Sequence, residues 1–221
     1  MLKIAHHPIY NHPLREDHRF PMEKYDLLPQ QLLHEGTCES NNFFQPEKPN
    51  NKYFFTVHDI DYFYDLLNIT LNQKAARKIG FPLSEVLIDR EMIIADGTMK
   101  ASDFALKNGI SMNIAGGTHH AFSNRAEAFC MLNDQAIGAK YIQNKGLVKK
   151  ILIVDLDVHQ GNGTAEIFQN DPSVFTFSMH GKSNYPFIKE KSDLDIPLED
   201  NTKDAEYLSI LKHILPKLIN Q

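Results

Sequence analysis

Asp155, Asp157 and His159 in "IVDLDVHQGNG" (153–163) stand at i, i+2 and i+4 directly after a run of apolar residues. If the extended backbone of "ILIVD" continues, all three side chains project to one side, a costly arrangement unless a cation holds it. Asp157 and His159 offer one oxygen and one nitrogen of the type zinc accepts, and a catalytic zinc takes three protein ligands plus water. A third ligand is missing from the motif, and His180 in "SMHG" is the candidate for it. A second group of residues lies in "GGTHHAF" (116–122). There Gly116 and Gly117 let the backbone turn tightly ahead of His119 and His120. One imidazole can take a proton from a metal-activated water while the other keeps its proton and stabilises a developing oxyanion. Each ring then needs an orienting partner on its far nitrogen, and Asp155 and Asn162 are available.

The elements that must position these residues read as alternating strands and helices. "SMNIA" (111–115), "ILIVD" (151–155) and "VFTFS" (174–178) read as strands. "TAEIFQN" and "DAEYLSILKHILPKLI" read as helices, as does a segment with Phe129, Leu132, Ala136, Ile137 and Tyr141 on one face. Phe129 and Cys130 would begin that last helix. Upstream, Asp59 can cap a helix with Tyr62, Phe63, Leu66 and Leu67 inside. Ser84 starts another, which Asp96 and Gly97 are expected to break before a further helix stopping at Gly109. The alternation implies an α/β fold, a parallel sheet flanked by helices. Ligands in such sheets sit beyond the carboxyl ends of the strands, where "GGTHHAF", "DLDVHQGNG" and "SMHG" all fall.

The 221 residues are enough for one domain with a sizeable core. A net charge of −5 with interspersed signs disfavours direct nucleic-acid binding. Two distant cysteines, Cys38 and Cys130, give no disulfide framework and fit a reducing compartment. No apolar run has the length of a membrane span or a signal core, so a soluble cytoplasmic protein with no membrane partner is expected.

Plainer readings compete at each position. An HH dipeptide alone is more often surface decoration, and a D-x-D alone often caps a turn. The two motifs ending two strands are far harder to dismiss. Eleven histidines are roughly twice average usage. Even so, His6, His7, His12 and His18, set among prolines and charges, read as an ordered surface loop rather than a metal site. Residues 38–54 read as a polar surface loop, and Asp193 and Asp195 as turn residues before a strand.

"GGTHHAF", "FCMLND", "ILIVDLDVHQGNGTAEIF", "NYPFIKEKSDLDIPL" and the N-terminal "HPIYNHPLREDHRFPMEKYDLL" together resemble the histone deacetylase family, most closely its class IV branch and bacterial relatives. The resemblance implies the arginase/deacetylase fold and a zinc-dependent amidohydrolase that removes acyl groups from lysine or related amines. Position by position, Asp157 and His159 match zinc ligands, His119 and His120 the catalytic pair, and Asp155 the acid orienting the first of them. Asn162 stands where some branches carry a second aspartate. Phe129 matches one wall of the substrate channel with Gly117 beside it, and Ala128 replaces a common glycine. Asp155, Asp157, His159, Ser178 and Met179 match a structural monovalent-cation site, expected to take potassium. The resemblance gives His180 no ligand role.

Family members continue past the equivalent of Gln221 to a third ligand, an aspartate, and a carbonyl-polarising tyrosine. The chain therefore reads as the N-terminal portion of a single deacetylase-like domain, awaiting a missing C-terminal segment or a partner chain. The leading expectation is a deacylase acting on an acylated lysine protein or peptide. A catalytically silent half-domain or binding module is the first alternative, and an amidohydrolase of small acylated amines such as acetylpolyamines the second. The nitrogen and carboxylate donors accept zinc and iron(II) alike.

Overall fold

The computed structural model describes residues 1–220. It divides into two compact units, Met1–Leu147 and a second from Val148 onward. In the first unit β1 (Lys3–Ala5) is the centre of a three-stranded parallel sheet between β2 (Phe43–Phe44) and β3 (Ser111–Asn113). Its helices are α1 (Lys24–His34), α2 (Ile60–Leu67), α3 (Gln73–Ile79), α4 (Glu85–Asn108) and α5 (Asp134–Asn144).

The ends of α4 follow from local chemistry. Ser84 accepts from the Leu87 N–H at 3.2 Å, and Gly109, at φ +85°, closes the C-terminus with its N–H on the Ala105 carbonyl. Between these caps the helix runs unbroken for 24 residues, so Asp96 and Gly97 do not interrupt it as their types suggest. Asp96 is bonded to Lys100 one turn on, at 2.9 Å, and accepts the Glu47 N–H at 2.8 Å. Gly97 sits where the N-terminal segment presses on the helix: a Cβ there would lie 2.6 Å from Tyr10 Oη and 3.2 Å from Ala5 Cβ. Contact, not helix termination, selects glycine here. The apolar core beside it includes Leu87, Met92, Ile94 and Met99 of α4, Phe63 and Leu66 of α2, and Phe54 stacked on Phe63 at 4.9 Å.

Several sequence expectations change in this unit. The strand at "SMNIA" is three residues long and pairs with β1, which, like β2, is too short to show a period in the sequence. Residues 38–54 are not simply a surface loop, because β2 lies within them and Phe54 is fully buried. His12 is likewise buried beside Arg90, whose Nε donates to the Tyr10 carbonyl at 2.8 Å, so the N-terminal histidine segment is anchored rather than superficial. Helix α5 begins at Asp134, leaving Phe129 and Leu132 in the preceding loop.

The second unit contains β4 (Ile151–Asp155), β5 (Val174–Gly181) and β6 (Leu194–Leu198), all parallel in that order, with α6 (Asn162–Phe168) and α7 (Asp204–Ile219). Register sets Asp155 beside Ser178 and Ser178 beside Asp195, a polar row across the sheet. Tyr207, Ile210, Leu211, Ile214 and Leu218 of α7 pack against Phe177 and Met179. Strand β5 runs through Gly181, so "SMHG" is strand rather than the loop after it, and Asp195 belongs to β6 rather than a turn. Among the described residues no helix is long and apolar enough to cross a membrane.

Gly97→Ala is expected to destabilise the protein by about 1–3 kcal/mol through overpacking, although alanine alone favours a helix by about 1 kcal/mol. A lowered urea midpoint measures it, and a raised one would show that the Tyr10 contact yields easily.

Candidate active site

The loop carrying "GGTHHAF" is seated by three buried polar groups that do not adjoin it in sequence. Asp134, the first residue of α5, accepts the Thr118 N–H at 2.9 Å and hydroxyl bonds from Thr118 (2.7 Å) and Thr98 (2.6 Å). A Cβ at Gly116, where φ is +109°, would collide with that carboxylate, so glycine is required by both conformation and space. Asn133 caps α5 by accepting the Ala136 N–H at 3.0 Å and donates its amide to the Ala121 carbonyl at 3.1 Å. His58 completes the seat. Its Nδ1 lies 3.0 Å from the Phe122 carbonyl, and its Nε2 accepts the Asn133 N–H at 3.0 Å. A carbonyl only accepts, so Nδ1 carries the hydrogen and the ring is neutral. Burial pushes the His58 pKa down to about 4, outweighing the carbonyl bonds that raise it.

On this loop the rings of His119 and His120 are buried with centroids 4.1 Å apart, inclined at 38°. Two imidazolium charges so close and so poorly solvated would repel strongly, which disfavours protonation of both rings at once. Such a pair can take up a proton and release one without net change of charge.

Ala128 and Phe129 both adopt left-handed backbone, at φ +44° and +70°. Each such residue costs about 1–2 kcal/mol, offset here by bonds from the Ala128 N–H to the Lys78 carbonyl (3.0 Å) and the Phe129 N–H to the Ile79 carbonyl (2.6 Å). The positive φ at Ala128 is backbone that glycine adopts more readily. The Phe129 ring packs on Phe81 at 4.9 Å and Phe20 at 5.2 Å, over Gly80, where a Cβ would lie 2.6 Å from the ring.

In the second unit the strand ends at Asp155 and does not continue to His159 as an extended chain. Instead, Asp155 Oδ1 accepts the Asp157 N–H at 3.0 Å and Asp157 Oδ1 accepts the His159 N–H at 2.8 Å. Two successive side-chain-closed turns thus gather what the pleat was expected to align. His159 Nδ1 lies 3.0 Å from Asp157 Oδ1, and both side chains are about half exposed, at 42% and 51%. Two ligands at zinc bond lengths in tetrahedral array stand about 3.3 Å apart, so this nitrogen and oxygen fit one divalent cation after a small adjustment. Among the described residues no group of three or more His, Cys, Asp or Glu side chains is placed to hold a metal. His180 therefore does not complete the pair. It is buried within β5, 3.0 Å from Ser178 Oγ and 4.0 Å from Asp195, and burial lowers its pKa despite Asp195. Asn162 is buried at the start of α6, its Oδ1 accepting the Gly163 N–H at 3.1 Å. Asp155 and Ser178 are in register, and Met179 follows in β5.

Of the expected site residues, Gly117, His119, His120 and Phe129 belong to the first unit, and Asp155, Asp157, His159, Asn162, Ser178 and Met179 to the second. Sequence reasoning missed the seating residues His58, Asn133 and Asp134, since His58 reaches Phe122 across 64 positions. It also missed Tyr185, whose ring meets His159 edge-on at 6.3 Å; the aromatic–proline step in "NYPF" was the available signal. Gln160 ties this loop back, bonding the Glu190 carbonyl (2.7 Å), the Glu190 N–H (2.9 Å) and Asp195 (2.8 Å).

Comparison with known proteins bears on the fold and the family. The histone deacetylase domain matches residues 18–221. An uncharacterized protein of Picosynechococcus sp. is 46% identical over 218 residues, covering 99% of this chain and 73% of that protein. The acetoin utilization protein AcuC of Staphylococcus aureus is 27% identical over 219 residues, covering 89% of this chain and 56% of that one. Among solved structures, an HDAC homolog from Aquifex aeolicus superposes with a TM-score of 0.81 at 24% identity, over 97% of this chain and 64% of that one. An HDAC homolog complexed with SAHA gives 0.82 at 26%, with the same coverage. The fold is therefore that of the deacetylases, and the chain spans between about half and three quarters of the length of these relatives.

His58 makes folding stability depend on pH. The folded ring stays neutral down to about pH 4, whereas an unfolded one takes a proton near 6.5. The contribution is complete above pH 6.5 and disappears as pH falls toward 4. Urea titrations between pH 4 and 7 are expected to lose about 3 kcal/mol from this group, and His58→Gln should flatten that part of the profile.

Proposed function

The chain belongs to the histone deacetylase family, and from that premise we propose that it carries the core of a metal-dependent deacylase that hydrolyses acyl-lysine or related acylated-amine amides. The observation that carries the reading is the pair of buried imidazoles at 4.1 Å on a rigidly seated loop. Amide hydrolysis requires a proton to leave the attacking water and another to reach the departing amine, and two adjacent rings sharing one charge suit both transfers. One of His119 and His120 takes the water proton. The other, protonated, offers positive charge toward the developing oxyanion and is the source of the proton delivered to the amine.

Asp157 and His159 are the residues that would hold the divalent ion, zinc or iron(II), and what that ion supplies when bound is Lewis acidity toward oxygen. Asp155 and Asn162 take the ring-orienting roles that the resemblance implies, and Phe129 lines the path of the acyl-lysine stem. Tyr185, edge-on to His159, is an aromatic neighbour of the same ligand. Asp155, Asp157, His159, Ser178 and Met179 are the proposed potassium site. Support for an acylated substrate comes from the family and from the relative whose structure is complexed with SAHA.

In the full-length protein, His159→Ala is expected to lose bound metal, measured by elemental analysis. His120→Ala is expected to retain metal while turnover of an acetyl-lysine peptide falls by roughly 10²–10⁴-fold. Equal metal loss in both variants would show that the roles are wrongly divided.

A further inference from the structure

A concave groove of about 500 Å³ on the first unit is lined by Arg15, His18, Arg19, Arg77 and Phe81, with Asp17 as its one acidic side chain. Three guanidinium groups against one carboxylate make a cationic depression on a chain whose net charge is −5. Asp17 neutralises only Arg15, at 3.1 Å, and both partners are largely exposed (81% and 73%), so that pair exchanges readily with another carboxylate. Neither Arg19 nor Arg77 has an ion-pair partner among the described residues. The floor is firm, because His18 stacks on Phe81 at 5.5 Å and its Nε2 bonds to the Gly80 carbonyl at 2.9 Å. Arg77 is carried by α3. Beside the groove the Arg19 guanidinium lies over the Phe129 ring, 5.0 Å from its centroid.

That last contact gives the groove its meaning. We propose that it is a subsite for acidic side chains flanking the acylated lysine of a peptide substrate; the link to acyl-lysine rests on the deacylase reading above, in which Phe129 lines the stem's path. An extended peptide advances about 3.3–3.6 Å per residue, so a glutamate or aspartate one or two positions from the modified lysine would come within reach of Arg19, which lies 5.0 Å from the Phe129 centroid, and Arg77 lines the same groove. Guanidinium forks pair with carboxylates through two parallel hydrogen bonds, more selectively than a lysine would. A long polyanion such as nucleic acid would meet the acidic remainder of the surface, whereas a short acidic segment meets only the groove.

The test is fluorescence anisotropy with labelled acetyl-lysine peptides carrying either two glutamates or two glutamines beside the lysine, and the same peptides with unmodified lysine. The glutamate peptide is expected to bind roughly three- to tenfold more tightly in low salt, with the preference shrinking at 0.5 M salt. Arg77→Gln combined with Arg19→Gln should bring the ratio close to one, and Arg77→Lys should keep most of it. Arg77→Glu should shift preference toward a lysine-flanked peptide, a gain that a misfolded variant cannot produce. Equal affinities in the unaltered protein, or a glutamate preference that survives the double glutamine variant, would overturn the subsite. So would displacement of the glutamate peptide by a single-stranded oligonucleotide that binds more tightly than it does. Acetyl-lysine turnover without any glutamate preference rejects the groove and leaves the deacylase reading standing. A glutamate preference equal for acetylated and unmodified peptides, without turnover, keeps the groove and rejects the deacylase.

Discussion

The buried carboxylate of Asp134 is the interaction on which the first unit's chemistry depends. Only 2% exposed, it would be expensive to bury without partners, and its partners are the Thr118 backbone, the Thr118 hydroxyl and the Thr98 hydroxyl. Satisfying it fixes the start of the histidine loop to the first turn of α5 and to the middle of α4. Because Asn133 and His58 hold the carbonyls of Ala121 and Phe122, the two imidazoles lie on backbone pinned on both sides. Loop residues so restrained act like residues on a regular element, which is the precision acid–base chemistry needs.

The second unit reaches comparable order by another route. A parallel strand delivers Asp155 to its carboxyl end, and the carboxylates of Asp155 and Asp157 then wind the chain by capturing the N–H groups two residues on. The acids proposed as ligands are also the local folding signal. This double use explains why Asp157 and His159 face one another at 3.0 Å although the chain between them is not a strand. A substitution there changes both the donor set and the turn that presents it.

Long-period features were legible in the sequence. The amphipathic faces of α2 and α7, the apolar strand at 151–155 and the Ser84 and Gly109 caps all follow from side-chain type and spacing. The α/β class follows from their alternation, and the histidine pair and the D-x-D-x-H motif stood out because polar groups ending an apolar strand demand a reason. Features set by contact were not legible. Gly97 reads as a helix breaker until Tyr10 and Ala5 are seen against it, and β1 and β2 are too short for any periodicity. Phe129 fits a helical face by spacing, yet its backbone is left-handed where the Ala128 and Phe129 N–H groups bond the Lys78 and Ile79 carbonyls.

By itself, then, the sequence determined which side chains could do chemistry and on which kinds of element they ride, because hydrophobic period, caps and turn formers act over a few residues. Tertiary structure alone decided how those side chains are held: the neutral tautomer of His58, the clamp of Asp134 and the cationic groove beside Phe129. Each is a contact between groups, or a competition for one N–H, whose outcome depends on what else is nearby in space. Distance along the chain carries no record of that.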